Sequence, residues 1–321
     1  LGYNPFKIYG TMVQGCFRSS IAFQGTMLVI IPLLISSLGV TLAFKMRFWN
    51  LGAEGQVLVG GLASAACMFY VKDSMPSLLL IIIMVITSII AGILWGVLPA
   101  VFKAKWGTNE SLFTLMMNYV AMQLVSFFIM VWVPSGSNVM GVINQSTEAG
   151  WLPPLFGQKY FLNILIVVVI TIVMFIYLKF SKHGYEISVV GESENTARYI
   201  GINVKKVIMR TMLLSGAICG LSGLLLVAGT DHTVTRDTIA GRGFTAIMVS
   251  WLAKFNPIYM VLTSFLLVFL EKGADEISTR FGLNGSFSEI LTGIIIFFII
   301  GSEFFINYTI KFRESKKEAS K

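Results

Sequence analysis

The sequence has 321 residues, of which 55% are hydrophobic and only 12% are charged, and its net charge is +8. A soluble domain carries roughly a quarter charged residues, so this composition excludes an ordinary soluble protein and indicates a protein embedded in lipid. The basic residues lie between apolar segments rather than in a patch interleaved with aromatic rings. This distribution argues against nucleic acid as a partner.

Nine apolar segments are candidates for membrane-spanning helices, each of which needs about 20 residues. They cover residues 21–44, 50–71, 78–102, 109–133, 161–179, 207–229, 243–254, 257–271 and 288–310. The sequence therefore predicts an all-α, polytopic integral membrane protein in which residues 1–321 form a single transmembrane domain. Pro32 and Pro99 predict kinked helices, and the segments 243–254 and 257–271 are short enough to be half-helices.

The basic residues also predict an orientation. If Lys45 and Arg47 face the cytoplasm, alternation of the spans places most Lys and Arg residues on that side, as the positive-inside rule requires. The basic tail 311–321 is then cytoplasmic and Leu1 lies outside, so we expect a tenth span before Leu1.

Residues 50–56 (Asn-Leu-Gly-Ala-Glu-Gly-Gln) interrupt the apolar pattern. An ionisable residue such as Glu54 is costly at the membrane boundary unless it is paired or hydrated. Either Glu54 stabilises a helix N-terminus, or this stretch, with Asn50 and Gln56, lines a solute path.

Two further polar stretches follow along the chain. Asn109 belongs to a helix start. Asn118 lies deeper in the same segment, where an Asn either forms hydrogen bonds between helices or contacts the solute. Glycines precede Phe244 and Thr245, which suggests a broken span lining a cavity. Phe244 either packs against other helices or stacks on a flat solute. Seven residues are thus candidates for the solute path: Asn50, Glu54, Gln56, Asn109, Asn118, Phe244 and Thr245.

Two connections between spans are long. The outer loop 134–160 is either a lid over the helix ends or a docking surface for an outside partner. The inner loop 180–206 contains one predicted short amphipathic helix, 197–200, closed by Gly201 as a C-cap. This loop is either an ordinary solvated connection or a helix seated in a groove of a soluble partner.

Sequence motifs for catalysis or phosphate binding are absent from the chain. It has no GxSxG motif, no GxxxxGK[ST] phosphate-binding loop and no pattern of metal ligands. We therefore expect no enzymatic activity and no bound cofactor, and if ATP drives transport, a partner subunit must hydrolyse it.

Four motifs in order resemble the membrane permease subunit of bacterial ABC importers of the ribose and simple-sugar type. They are residues 50–56, residues 109–119 (Asn-Glu, then Leu-Met-Met-Asn-Tyr), residues 190–203 (Val-Gly-Glu-Ser-Glu-Asn-Thr-Ala-Arg-Tyr-Ile-Gly-Ile-Asn) and residues 243–257 (Gly-Phe-Thr-Ala-Ile, then Asn-Pro). The similarity is greatest to the branch that imports purine and other nucleosides.

This resemblance implies a fold of about ten spans in a bacterial cytoplasmic membrane. It also implies cytoplasmic ABC ATPases, a second permease subunit that is a different chain, and an extracytoplasmic substrate-binding lipoprotein. The family's ATPase-coupling segment maps onto 191–202, with the candidate coupling residues Gly191, Glu192, Asn195, Ala197, Arg198, Gly201 and Ile202.

The sequence thus predicts the permease subunit of an ATP-driven importer of nucleosides or a simple sugar. One alternative is a secondary transporter driven by an ion gradient, which would need an acidic or histidine relay inside the membrane. Another is a membrane-embedded enzyme, for which no catalytic pair is evident.

Overall fold

The computed structural model describes residues 5–72, 75–133, 140–155, 157–158 and 160–307, and their regular structure is helical apart from one isolated bridge between Leu155 and Gln158. The helices are α1 (Pro5–Phe17), α2 (Ser20–Lys45), α3 (Ala53–Tyr70), α4 (Ser77–Trp106), α5 (Glu110–Trp132), α6 (Phe161–Phe180), α7 (Lys182–Glu192), α8 (Glu194–Tyr199), α9 (Val204–Leu226), α10 (Arg242–Leu252), α11 (Pro257–Arg280) and α12 (Gly285–Asn307). A π-helical segment, Val227–Asp231, continues α9. The predicted basic tail 311–321 lies outside the described residues.

Six helices of the described part are long and apolar enough to cross a membrane: α2, α4, α5, α6, α9 with its π-helical continuation, and α11. Each of the nine predicted segments contains a helix, but nine spans are not confirmed. Among the described residues, α3, α10 and α12 do not meet the same criterion of length and apolar composition.

The two segments predicted to be short differ in length. α10 has 11 residues and is therefore about 16 Å long, half the thickness of the hydrocarbon core. α11 has 24 residues and continues through Glu271, Lys272 and Asp275 to Arg280. The prediction of a second half-helix at 257–271 is therefore wrong, because good helix formers extend α11 beyond the end of its apolar stretch.

The helices divide into two compact units. The smaller unit comprises the residues up to Phe23 together with those from Leu267 onward. Within it, Arg18 lies 3.5 Å from Glu276, and the backbone of α11 at Lys272 contacts Gly15 of α1. The larger unit runs from Gln24 to Leu266 and contains every site described below.

Glycines bring α3, α4 and α9 into close contact at the centre of the larger unit. A Cβ atom at Gly92 of α4 would overlap the carbonyl oxygen of Gly216, and one at Gly223 of α9 would overlap that of Val57 in α3. Small residues at such contacts let helix backbones approach closely, which is a main source of helix association in lipid. These three helices therefore form a tightly packed core.

Candidate functional site

α10 begins beside the first turn of α3, and Glu54 joins the two helices. Its Oε1 accepts a hydrogen bond of 3.0 Å from the backbone N–H of Gly241, the N-cap residue of α10. Gly243 lies so close that a Cβ there would be 2.8 Å from the backbone nitrogen of Glu54. Because the N-terminus of a helix carries partial positive charge, the Glu54 carboxylate is stabilised where α10 starts.

Four buried polar atoms near this junction have no hydrogen-bond partner among the described residues. They are Asn50 Nδ2, Glu54 Oε2, Gln56 Oε1 and Trp95 Nε1. The side chains of Asn50, Glu54 and Gln56 are at most 3% exposed, and buried polar atoms in native proteins are normally paired with protein, water or a ligand. We call these four residues the polar cluster; its two free donors and two free acceptors suit water or a neutral polar solute.

Contacts within the polar cluster place its members around the start of α3. Gln56 Nε2 lies 3.4 Å from Asn50 Oδ1, and Asn50 Oδ1 also accepts from the N–H of Gly52 at 3.0 Å. The indole nitrogen of Trp95, on α4, is 3.0 Å from where a Cβ of Gly55 would be. Because Gly55 has no side chain, the space next to the Trp95 N–H stays open.

Two side chains of α5 hold this start of α3 in place. Asn118 accepts a hydrogen bond from the N–H of Gly55 and donates one to the carbonyl of Leu51, both at 2.8 Å. Thr114 Oγ1 accepts from the N–H of Leu51 at 3.1 Å. Since both polar atoms of the Asn118 amide have backbone partners, Asn118 positions the polar cluster.

The other predicted path residues lie apart from these contacts. Asn109 is exposed and caps α5, accepting from the N–H of Leu112 at 3.1 Å. Phe244 is 42% exposed on α10, and Thr245 beside it is half-buried. The structure thus brings Asn50, Glu54, Gln56 and Asn118 together; no hydrogen bond among the described residues links Asn109 to them.

Sequence reasoning did not include Trp95 or Gly241 among the candidate site residues. Trp95 lies in a continuous apolar run, and its only signal was an indole N–H, which needs a partner when buried. Gly241 has a φ of 76°, a left-handed conformation that glycine adopts at no steric cost. Glycine just before a short helix was the available signal.

The inner loop 180–206 contains two helices, α7 and α8, so the expectation of a single short helix at 197–200 is wrong. α7 forms because Ser181 caps it, accepting from the N–H of Gly184 at 3.0 Å, and Ser193 ends it and caps α8. α8 ends at Gly201, whose φ is 85°, with the N–H of Ile202 bonded to the carbonyl of Ala197 at 2.9 Å.

α7 contacts two of the long apolar helices. Gly191 lies so close to the end of α2 that a Cβ there would overlap the carbonyl oxygen of Lys45. Glu186 accepts a hydrogen bond of 2.7 Å from Arg210 of α9. This hydrogen bond, reinforced by the positive charge of Arg210, holds the pKa of Glu186 below its ordinary value. A displacement of α7 would therefore act directly on α2 and α9.

α8 is attached through one buried side chain, and its other residues are exposed. Ala197 is fully buried, whereas Glu192, Asn195 and Arg198 are exposed. Arg198 pairs with Glu194 one turn earlier at 3.0 Å. A short helix with one buried anchor and exposed charges suits a soluble partner.

The described part of the outer loop is fixed to neighbouring helix ends. Asn144 Nδ2 donates to the carbonyls of Met68 and Ala149, at 3.0 and 2.9 Å. Trp151 stacks on His232 with ring centroids 3.7 Å apart. This part of the loop thus packs against α3 and the segment that follows α9, which is compatible with both a lid and a docking surface.

Several long apolar helices, a half-helix that begins inside the fold and a buried polar cluster at its start define a polytopic membrane permease. The family model described as the permease component of the branched-chain amino acid transport system matches residues 22–300. The chain belongs to this family.

Relatives of this chain are permeases with different named solutes. It is 30% identical over 317 residues to the guanosine ABC transporter permease protein of Bacillus subtilis, covering 97% of this chain and 88% of the relative. It is 28% identical over 321 residues to the glucose ABC transporter permease protein of Haloferax volcanii, covering 97% and 84%. Identity to the nucleoside ABC transporter permease protein of Lactococcus lactis is 27% over 308 residues, covering 93% and 84%.

The family match confirms the resemblance read from the four motifs. The chain is a multi-pass ABC transporter permease, a transport subunit. This membership does not favour the alternative of an ion-driven secondary transporter.

Proposed function

We propose that this permease carries nucleosides into a bacterial cell across the cytoplasmic membrane. Two of the three relatives described above are named for guanosine or nucleosides. The observation that carries the proposal within this chain is the polar cluster. Its free groups are two uncharged donors, one amide acceptor and one carboxylate acceptor. They match a neutral solute that has hydroxyl groups and a base with a hydrogen-bonding edge.

Import requires energy from ATP, which in this proposal a cytoplasmic ABC ATPase hydrolyses, and the permease itself binds no cofactor. The ATPase would contact α8 and the end of α7, with Ala197, Arg198 and Gly201 central to that contact. Because α7 is joined to α2 and α9 through Gly191 and Glu186, closure of the ATPase would shift these helices against the rest of the larger unit.

The solute path would pass the start of α10. A half-helix with its N-terminus inside the membrane protein is a common feature of transporter sites. Glu54, Asn50 and Gln56 would exchange water for solute there, and Phe244 and Thr245 would extend the path along α10. An extracytoplasmic binding lipoprotein would deliver the solute, and a second, different permease would complete the path.

The named glucose relative supports one further candidate, import of a simple sugar. A sugar would use the same hydroxyl-binding groups but would not need an aromatic surface such as Phe244. Competition between guanosine and glucose in one uptake assay distinguishes the two solutes.

The proposal is tested with the complete transporter in liposomes. The permease is reconstituted with its ATPase, second permease and binding protein, and uptake of labelled guanosine is measured. We expect uptake that needs ATP and stops when the phosphate-binding lysine of the ATPase is changed. Guanosine uptake driven by a proton gradient without the ATPase would overturn the mechanism, and saturable uptake of glucose but not of any nucleoside would overturn the solute.

A further inference from the structure

A cavity of 490 Å³ lies at the predicted cytoplasmic end of the larger unit, away from the polar cluster. The ends of α2, α7 and α10 meet around it. Alternation from Lys45 and Arg47 under the positive-inside rule predicts the cytoplasmic side for all three helix ends, and the structure brings them together. A cavity of this size matches the range found for bound small molecules and headgroups.

Aromatic side chains form one wall of the cavity. Trp49 and Trp251 have ring centroids 6.1 Å apart, Phe44 lies 5.6 Å from Trp49, and Phe255 lies 5.6 Å from Trp251. Trp49 and Trp251 are nearly half exposed. Tryptophan concentrates at the level of lipid headgroups, where its ring meets acyl chains and its N–H meets polar groups.

Charge on the cavity wall is positive. Lys45, Arg47 and Glu192 are its charged lining residues. Within the described residues neither Lys45 nor Arg47 forms an ion pair, whereas Lys103 and Arg210 each pair with a glutamate at 2.7 Å. Two cations beside a single exposed anion leave net positive charge that a bound anion would neutralise.

The backbone holds Arg47 in a conformation that needs support from its surroundings. Its φ is 58°, in the left-handed region that residues with a side chain seldom occupy. Two backbone hydrogen bonds at the end of α2 hold this conformation. The N–H of Arg47 donates to the carbonyl of Phe44 at 2.9 Å, and the N–H of Phe48 donates to the carbonyl of Ala43 at 3.0 Å. The backbone from which the Arg47 side chain starts is thereby fixed at the cavity rim.

We propose that this cavity binds the headgroup of an anionic phospholipid from the cytoplasmic leaflet. The lipid phosphate lies between Lys45 and Arg47, and the glycerol and upper acyl chain lie against Trp49 and Trp251. Clusters of basic residues at the cytoplasmic boundary attract anionic lipids at this depth. Because Gly191 lines the same cavity, the lipid contacts the junction of α2 and α7.

A neutral solute does not fit this cavity as well. A nucleoside could stack on the aromatic wall, but it would leave both cations without a counterion. Inorganic phosphate would neutralise them but would leave the aromatic wall unused. A phosphodiester with attached acyl chains satisfies both parts of the lining.

The test is lipid retention by the purified transporter complex, measured by native mass spectrometry after exchange into nanodiscs of phosphatidylcholine with and without phosphatidylglycerol. We expect the wild type to retain phosphatidylglycerol preferentially. The double variant Lys45→Gln/Arg47→Gln should lose about fivefold in preference for each cation removed, while the control Lys205→Gln/Lys206→Gln, which removes two exposed cations outside the cavity, should behave as wild type.

Glu192→Gln provides an independent check, since loss of the anion should strengthen retention. Equal retention by the wild type and the double variant would overturn the proposal, as would displacement of the lipid by inorganic phosphate or by guanosine. The assay needs no transport, so its outcome does not depend on the proposed cargo.

Discussion

Arg210 of α9 donates a hydrogen bond of 2.7 Å to the carboxylate of Glu186 on α7, with the two side chains 23% and 16% exposed. This pair joins a helix of the predicted coupling segment to a helix long and apolar enough to span the membrane. The pair is only partly exposed, so solvent screens it less than a surface ion pair. A push on α7 is therefore transmitted to α9 through a short, charge-assisted contact.

The first prediction is that Glu186 and Arg210 are energetically coupled. Glu186→Gln, Arg210→Gln and the double variant form a double-mutant cycle, and we expect an interaction of about 1–3 kcal/mol in the free energy of unfolding, as for side chains in direct contact. Denaturant unfolding in detergent measures it. The exposed pair Glu194 and Arg198 serves as the control and should give a coupling of about 0.5 kcal/mol or less.

The second prediction concerns how the stabilisation by the Glu186–Arg210 pair changes at low pH. The hydrogen bond from Arg210 lowers the pKa of Glu186 below the ordinary value of 4.5. The unfolded chain therefore binds the proton more readily than the folded one, so the pair's contribution to stability is complete above pH 4.5 and is lost as the pH falls below it.

Melting temperatures measured between neutral pH and the acid range check this sign. The wild type should lose more stability below pH 4.5 than Glu186→Gln, whose side chain does not titrate. Parallel curves for the two proteins would mean that Glu186 contributes nothing to acid sensitivity.

The third prediction concerns Gly191, which contacts the end of α2. Gly191→Ala places a methyl group against the Lys45 carbonyl oxygen. Because both groups are held directly by the backbone, the contact can open only if α7 or the end of α2 moves. We expect ATP hydrolysis to continue while uptake falls severalfold. The matched control is Gly25→Ala, where a Cβ meets no atom within 4 Å. Normal uptake by Gly191→Ala would exclude the α2–α7 contact from coupling.

A fourth prediction tests the solvent-exposed surface of α8 in the coupling segment. Arg198→Glu reverses an exposed charge on α8 and should uncouple ATP hydrolysis from uptake while membrane insertion stays normal. Gly201→Val forces a β-branched residue into a left-handed turn with φ 85° and should act in the same direction. Uptake and ATPase rates measured on the same vesicles separate uncoupling from misfolding, and wild-type uptake in both variants would remove α8 from the coupling mechanism.

The sequence indicated where helices lie more reliably than how they end or how many cross the membrane. Apolar runs located every long helix, because burial in lipid requires them. The same signal gave no indication of α7, which contains few consecutive apolar residues and depends on the contacts of Gly184 and Gly191. It also ended α11 too early, since Glu271 and Lys272 lower the hydropathy without ending the helix.

The candidate site was predictable only in part, for a related reason. Local pattern identified Asn50, Glu54 and Gln56 as polar residues in an apolar setting. The partner of Glu54 is the N–H of Gly241, 187 positions away in the chain, and no local periodicity reports such a contact. Likewise the two possible roles of Asn118 could be compared only once its backbone partners at Leu51 and Gly55 were located.

The fifth prediction tests whether Asn118 stabilises the start of α3 rather than contacting the solute. Asn118→Leu removes two hydrogen bonds of 2.8 Å and leaves the N–H of Gly55 and the carbonyl of Leu51 without them. Because unsatisfied buried groups are costly, we expect a loss of about 2–4 kcal/mol in the free energy of unfolding. Asn109→Ala, which removes an exposed cap, should cost about 1 kcal/mol.

Glu54 allows the most direct test of the polar cluster, because its Oε1 is bonded to Gly241 whereas its Oε2 has no hydrogen-bond partner among the described residues. Glu54→Gln keeps an oxygen for the N–H of Gly241 and removes the charge, whereas Glu54→Ala removes both. If Glu54 only caps α10, Glu54→Gln should transport normally and Glu54→Ala should be unstable. If Oε2 contacts the solute, Glu54→Gln should fold normally, shown by an unchanged melting temperature, yet raise the solute concentration needed for half-maximal uptake at least severalfold. Glu110→Gln, which loses an ion pair with Lys103 away from the polar cluster, is the control and should leave that concentration unchanged.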